Sequence, residues 1–415
     1  MTRGTPANAI LHVDCATTYG GSVRCLENFL TARRDASIRH IVCVSPSLVA
    51  RSRLAECCSR LVSVPTLYGH SSRPPVGRRV RTVLRILSTT VSVSRLIVRE
   101  NVRLVRLNNS PAAHLGPVIA ARLLRIPCVA WLRSFPDATE KRATWMTGKN
   151  ISLVAVSESV RMAYIARGVS ADRIITLYDG TDVPSLPGPA TQCDAPRPRF
   201  TAGMLTRLVA WKGCTDFVRA AALVLSDDPD ARFVIAGPDD PTEPRFRSQL
   251  TEEVRRLGVA HAVALAPAVA DPRQFLLSLD CLVNPSYPAE PFGMSVLEAM
   301  ALGRAVIATE GGGAAEIIEH GRSGLLVPAS DHAALARTIR QLLRDERLRR
   351  TLGTHARQRV ATTFELGNRT VRQEEFLRSL IFSRGARRNR SSSASRMGAH
   401  AQRSREGAQN RPEVN

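Results

Sequence analysis

The chain has 415 residues, 44% hydrophobic and 23% charged, enough for two ordinary domains with a core each. Its formal charge of +22 points to phosphorylated substrates or an anionic membrane surface. With 5% aromatic residues and no RNP-like or zinc-finger pattern, nucleic acid is not the expected partner. No apolar run reaches the roughly 18–20 residues of a membrane-spanning helix. The opening "MTRGTPANAILHVDC" lacks a secretory-signal pattern. Nine scattered cysteines, with no Cys-x-x-Cys pair, fit reduced thiols of a cytoplasmic protein.

In chain order, the β-like runs "AILHV", "HIVCVS", "VRLVRL", "CVAWL", "SLVAVS" and "RIITLY" alternate with helix-like segments such as "GSVRCLENFLTARR" and "GPVIAARLLR". This alternation predicts right-handed βαβ units and a mostly parallel sheet. In the arginine-rich run from Arg73 to Arg106, Val80, Val83, Leu84, Leu87 and Val91 recur at helical spacing. The favoured expectation is a core-facing helix with a solvated basic face; docking on anionic lipid is the alternative.

"DGTDVPSLPGPATQCDAPRPR", Asp179 to Arg199, has linker composition. The βα theme then resumes with "FTAGML", "RFVIAG", "AVALAP", "CLVNPS", "AVIATE" and "GLLVP", and helices such as "TDFVRAAALVLSD" and "AALARTIRQLLRDERLRR" lie between them. The predicted organisation is a first domain over 1–180, a linker over 181–199 and a second domain over 200–364. A helix over 365–382 is expected to pack back toward the first domain, and 383–415 to be a disordered basic tail with eight arginines against two glutamates.

Three loops carry candidate chemistry. In "CLVNPSYPAEPFGMSVLEAMALG" a buried strand ends in a proline loop, and a helix starts near Gly293 or Met294. Its unpaired N–H groups form an anion site. Glu298, one turn in, is set for a sugar or ribose hydroxyl, and Glu290 precedes Pro291 on the loop. In "GMLTRLVAWKGCTDF" Arg207 and Lys212 follow a strand and precede a helix, as a diphosphate requires. Lys212 is the only lysine in the second half of the chain, against a background of arginine. In "YGGSVRCLENFL" Gly20 and Gly21 follow the first strand, with Arg24 on the next helix. His12, His70 and His114 show no metal-like spacing and there is no well-placed Asp-x-Asp, so neither a metal nor a cofactor is expected.

Glu290 and Glu298 match the Glu-x7-Glu motif of retaining glycosyltransferases, and "EPFGMSVLEAMALGRAVIAT" with "EIIEHGRSGLLVP" resembles glycosyltransferase family 4 nearly word for word. The resemblance spans about residues 9 to 381 and is strongest in the second half. It implies a GT-B fold, α/β, with two Rossmann-like doubly wound domains facing across a cleft. It assigns Glu298 to the ribose, Glu290 to the donor sugar, and the backbone of Phe292, Gly293 and Met294 to the sugar and phosphates. Arg207 and Lys212 match the family's phosphate-binding "GRL…KG" element. Gly20 and Gly21 match its N-terminal Gly-Gly loop, with Arg24 as the cation there, and "LNNSP" matches an acceptor-side loop. Two positions depart from the pattern. Arg133 stands near the place where many relatives carry a histidine, and the boundary "NG-x-D" reads "DGTD", Asp179 to Asp182.

The resulting expectation is a metal-independent, retaining hexosyltransferase. It takes a nucleoside-diphosphate sugar as donor and a glycan or lipid-linked hydroxyl as acceptor, in the cytoplasm or on the cytoplasmic membrane face. Two alternatives stand beside it. One is a sugar-nucleotide epimerase of similar shape, which does not need the full Glu-x7-Glu element. The other is a non-catalytic nucleotide- or lipid-binding scaffold, suggested by Arg133 and the basic surface.

Overall fold

The structure is a computed structural model that describes residues 8–16, 19–49, 53–64, 76–137, 151–185 and 200–382. The expected basic tail, most of the linker (186–199), His70 and the start of the arginine-rich run at Arg73 lie outside the described residues. Two parallel sheets organise the rest. The first contains β1 (Ala9–Val13), β2 (Arg39–Val44), β3 (Arg60–Ser63), β4 (Val102–Leu107), β5 (Cys128–Leu132), β6 (Ile151–Ala155) and β7 (Ile174–Thr176), in the order β3-β2-β1-β4-β5-β6-β7. The second contains β8 (Phe200–Leu205), β9 (Ala231–Ala236), β10 (Val263–Ala266), β11 (Cys281–Asn284), β12 (Ala305–Thr309) and β13 (Leu325–Val327), in the order β10-β9-β8-β11-β12-β13. The central strands are buried on both faces, which is why they read as continuous apolar runs. The periodicity misses only β3, a four-residue edge strand with no fully buried position.

The crossover helices of the first sheet are α1 (Gly21–Ala32), the single-turn α2 (Pro46–Val49) and α3 (Leu54–Cys57), α4 (Val76–Arg99), α5 (Leu115–Leu123) and α6 (Glu158–Ala166). Those of the second are α7 (Cys214–Leu225), α8 (Phe246–Arg256), α9 (Pro272–Ser278), α10 (Met294–Ala301), α11 (Gly312–Ile317), α12 (His332–Arg344) and α13 (Glu346–Arg359). The segment expected as one helix, "AALARTIRQLLRDERLRR", is two. Asp345 ends α12 and turns its carboxylate to the N–H of Leu348, capping α13.

Another expectation fails on α4. Its aliphatic stripe does not face the core: Val83, Leu84, Leu87 and Val91 are exposed, and the buried face consists of Thr89, Thr90, Val93, Leu96 and Ile97. Helix spacing identifies a stripe but not the side of the helix that meets the sheet. Among the described residues no helix is long and apolar enough to cross a membrane.

The chain returns to the first sheet through α14 (residues 366–382). Glu374 Oε1 accepts from the backbone N–H groups of Arg34 (3.1 Å) and Asp35 (3.0 Å), and the Phe376 ring stands edge-on to Trp131. The segment between the sheets is packed where it is described. Gly180 lies against Leu366 and Phe364, and Thr181 bridges to Glu365. Tyr178, Phe292 and Phe364 form an aromatic cluster between the two halves, with Tyr178–Phe292 centroids 6.1 Å apart.

In each sheet the strand order reverses once, between β1 and β4 and between β8 and β11. Crevices beyond the carboxyl ends of such strand pairs are where open α/β sheets bind ligands. All three candidate loops start from these strands: Gly20–Gly21 follows β1, Arg207–Lys212 follows β8, and Pro285–Gly293 follows β11.

Candidate functional site

The loops after β8 and β11 touch directly. Gly213 caps α7 at φ +73°, and a Cβ there would lie 2.0 Å from the Pro285 carbonyl oxygen. Only glycine permits both that conformation and that approach. The Tyr287 N–H donates to the Trp211 carbonyl at 2.7 Å, closing the same seam. Across it, Lys212 Nζ meets Glu290 Oε2 at 2.6 Å and lies 4.0 Å from the Trp211 ring centroid. Ser286 Oγ sits within hydrogen-bonding distance of both Glu290 Oε2 (2.9 Å) and Asn284 Oδ1 (2.8 Å), so its one proton serves either acceptor. Burial works to raise the Glu290 pKa. The Lys212 charge and the hydrogen bonds outweigh it, holding Glu290 below the ordinary carboxylate value and ionised.

The Glu290 loop is held from behind by the two glycines that open α11. Gly312, at φ +63°, would carry a Cβ 2.3 Å from the Glu290 carbonyl oxygen, and the Gly313 N–H donates to that oxygen at 2.8 Å. Phe292 turns inward to the aromatic cluster, so only its backbone is available to a ligand. Gly293 caps α10, and Met294 opens it, half-buried.

Glu298 is buried one turn into α10. Its Oε1 lies 3.1 Å from Arg24 Nε on α1, a charge contact across the two halves without an aligned hydrogen bond. Burial pushes its carboxyl up to about 7, against the pull of Arg24. Gly20 and Gly21 stand just before and at the start of α1, with open space where a Cβ would point. Tyr19, just before them, donates to Glu27 Oε2 at 2.6 Å. Glu298, Arg24 and the Gly20–Gly21 turn therefore lie at one junction of the two sheets.

Two expected cations are already engaged. Arg207 pairs with the buried Asp240 at 2.5 Å, on the loop after β9, and does not meet Glu290 with Lys212. Arg133 is not open to the cleft. Its Nη1 meets Asp179 Oδ2 at 2.5 Å and its Nε donates to Asn108 Oδ1 at 3.2 Å. Asn108 Nδ2 in turn donates to Asp14 Oδ2 (2.6 Å) and to the Ser22 carbonyl (2.9 Å). Burial works against the Arg133 charge, but Asp179 more than compensates and holds its pKa above the ordinary guanidinium value.

Sequence reasoning missed Glu316. Its carboxylate accepts from the backbone N–H groups of Glu158 (2.8 Å) and Ser159 (2.7 Å) at the start of α6, from Ser159 Oγ and from Tyr178 OH (2.9 Å). Beside it, Ser157 Oγ donates to the Pro291 carbonyl at 2.6 Å. One carboxylate on α11 thus caps a helix of the other half and fixes the Glu290–Phe292 loop between them. No local signal marks Glu316, because its partners lie about 150 residues away in sequence. Asn284 and Ser286, polar residues at the end of an apolar strand, are the local signal in the sequence for the partners of Glu290.

Two Rossmann-like domains with both switch points turned to a common junction define the GT-B architecture. Residues 194–359 match the family model described as "Glycosyl transferases group 1". The chain is similar to Anabaena Alr3699/HepE, crystallised with UDP and glucose, at 23% identity and TM-score 0.77, covering 89% of this chain and 99% of that one. It is also similar to the sucrose-phosphate synthase of Thermosynechococcus elongatus (20% identity, TM-score 0.74, 91% and 100% covered). Among curated proteins it resembles the lipopolysaccharide core biosynthesis mannosyltransferase LpcC of Rhizobium leguminosarum bv. viciae, 28% identical over 56% of this chain and 66% of the relative. It also resembles the capsular polysaccharide biosynthesis glycosyltransferase CapM of Staphylococcus aureus, 25% identical over 51% and 57%. The matched region thus spans between over half and two thirds of these two curated relatives' length.

Proposed function

We propose that this protein is a retaining glycosyltransferase that moves a hexose from a nucleoside-diphosphate sugar to a hydroxyl of a glycan or lipid-linked acceptor in polysaccharide or glycoconjugate assembly. The observation that carries the reading is the meeting of Lys212, Glu290 and the start of α10 at the β8/β11 switch point, with Glu298 one turn further on. The relatives that act in lipopolysaccharide and capsule assembly support the setting.

In this reading the nucleotide lies along α10. Ionised Glu298 accepts from the ribose hydroxyls and gives up its contact with Arg24, which then faces the incoming phosphates. Glu290 contacts the donor sugar. As the anomeric C–O bond breaks, the electron pair and its negative charge go to the diphosphate. Lys212 and the N–H groups at the start of α10 meet that charge, and Arg207 joins them on leaving Asp240, so the step is proposed to need no metal and no cofactor. The acceptor oxygen forms its bond on the face the diphosphate leaves, and its proton passes to the departing phosphate oxygen. The Glu290 and Glu298 pair favours transfer over the epimerase alternative, which does not need the full Glu-x7-Glu element.

The test is release of nucleoside diphosphate from UDP-, GDP- and ADP-hexoses with and without acceptor extract, in EDTA. UDP-hexose comes first because the structural neighbour HepE was crystallised with UDP-glucose. Acceptor-dependent release with an α-linked product from an α-linked donor is expected. Acceptor-independent interconversion of the donor sugar would instead favour the epimerase, and tight binding without turnover the scaffold.

A further inference from the structure

Helix α4 has two faces of opposite role. Val93, Leu96 and Ile97, with Thr89 and Thr90, are buried, and the helix packs on α5 and β4. On the other side Val83, Leu84, Leu87 and Val91 are 54%, 58%, 56% and 49% exposed, and Val98 is 69% exposed. At about 100° per residue, Leu84, Leu87, Val91 and Val98 fall within about 60° of one another, with Val83 alongside. The stripe runs for about 20 Å, from 83 to 98 at ~1.5 Å per residue. The outward face of a helix on a soluble sheet is ordinarily polar, and aligned aliphatics in this number mark a contact surface.

Charge identifies the occupant. Helix α4 carries Arg78, Arg79, Arg81, Arg85, Arg95 and Arg99 and not one acidic residue. Arg85, Arg95 and Arg99 are exposed and follow one border of the stripe. The neighbouring α5 exposes Ile119 and Leu123 beside Arg122. A second copy of the chain would set two arginine rows against each other without a carboxylate between them. A sheet of lipid phosphates offers both the apolar layer and the opposite charge.

We propose that α4 is the surface on which this protein lies on an anionic bilayer. Its aliphatic stripe enters the boundary between headgroups and acyl chains, and Arg95 and Arg99 sit at the level of the lipid phosphates. This surface stands on α4 alone and does not depend on the transfer reading.

The experiment is vesicle flotation of the full chain at near-physiological salt, with phosphatidylcholine vesicles and with vesicles containing phosphatidylglycerol. Binding to the anionic vesicles only is expected. The L84S/L87S/V91S variant should lose at least about tenfold in affinity, since binding scales with buried apolar area. R95Q/R99Q should weaken binding in the same direction. Both variants retain the basic tail and should keep the unfolding midpoint and nucleotide binding of the unaltered chain. Equal binding by the triple variant overturns the proposal, as does absence of binding by the unaltered chain. A concentration-dependent dimer that the triple variant abolishes without vesicles also overturns it. A readout on the unaltered chain alone is amide exchange, which should slow over residues 83–98 on anionic vesicles. Protection elsewhere but not there contradicts the assignment.

Discussion

Arg133 and Asp179 form a buried ion pair, Nη1 to Oδ2 at 2.5 Å, that ties the end of β5 to the segment leading out of the first domain. These are the two residues at which the sequence departs from the pattern it resembles, Arg133 near a place where many relatives carry a histidine and Asp179 opening the boundary "DGTD". In space they are one feature: the charge of one is neutralised by the other. Neither is available as a ligand, and Arg133 serves as a clamp between Asn108 and Asp179.

The first prediction is a coupled loss of stability. Removing one partner leaves a buried charge unpaired, so Arg133→Met or Asp179→Asn alone should cost about 3–5 kcal/mol. The Arg133→Met/Asp179→Asn double variant should cost clearly less than the sum. Urea denaturation of the four proteins measures the cycle, and strict additivity would contradict a direct pair.

Removing Lys212 should act on turnover. Lys212→Met strips the cation from Glu290 and from the proposed diphosphate site, and kcat/KM should fall by about 10²–10³, the usual cost of one preorganised charge-stabilising group. Lys212→Arg should restore part of it. Steady-state kinetics showing under a threefold loss for Lys212→Met would remove Lys212 from the site.

A pH dependence follows from Glu298. A carboxyl raised to about 7 binds a proton in the fold that the unfolded chain has already released, so its ionisation destabilises the native state as pH rises from the ordinary carboxylate range toward 7. Nucleotide binding has the opposite sign, because a ribose hydroxyl donates to the ionised form. Affinity should therefore rise about tenfold per unit below pH 7 and level off above it. Calorimetric titration across this range checks it, with Glu298→Gln as the control for phosphate titration. A slope that survives in Glu298→Gln belongs to another group.

The seam between the β8 and β11 loops should be intolerant of side chains. Gly213→Ala demands a left-handed φ and a Cβ 2.0 Å from the Pro285 carbonyl oxygen, so it should cost at least about 1–3 kcal/mol. It should also displace Lys212 from Glu290. A thermal melt within a degree of the unaltered protein would show that the loop has room to move.

Much of this was legible from the chain. Central strands buried on both faces write themselves as apolar runs, which is why β1 and β12 were plain and the edge strand β3 was not. The Glu290 and Glu298 loop was visible because strand end, glycine cap and helix lie in one contiguous segment. Relations between distant segments were hidden. Nothing near Arg207 in sequence reveals Asp240, nothing near Glu316 reveals Ser159, and nothing near Arg133 reveals Asp179, which takes up its charge. The exposed side of α4 was equally hidden, because spacing gives a stripe its period and not its direction.

The most direct measurement is a calorimetric titration of the full chain with UDP-, GDP- and ADP-hexoses, repeated on Glu298→Ala. One donor class should bind, and the substitution should weaken it by about tenfold or more, the value of a charge-assisted hydroxyl contact. Equal affinity of Glu298→Ala for that donor, or no binding of any nucleotide sugar, would contradict a donor site along α10.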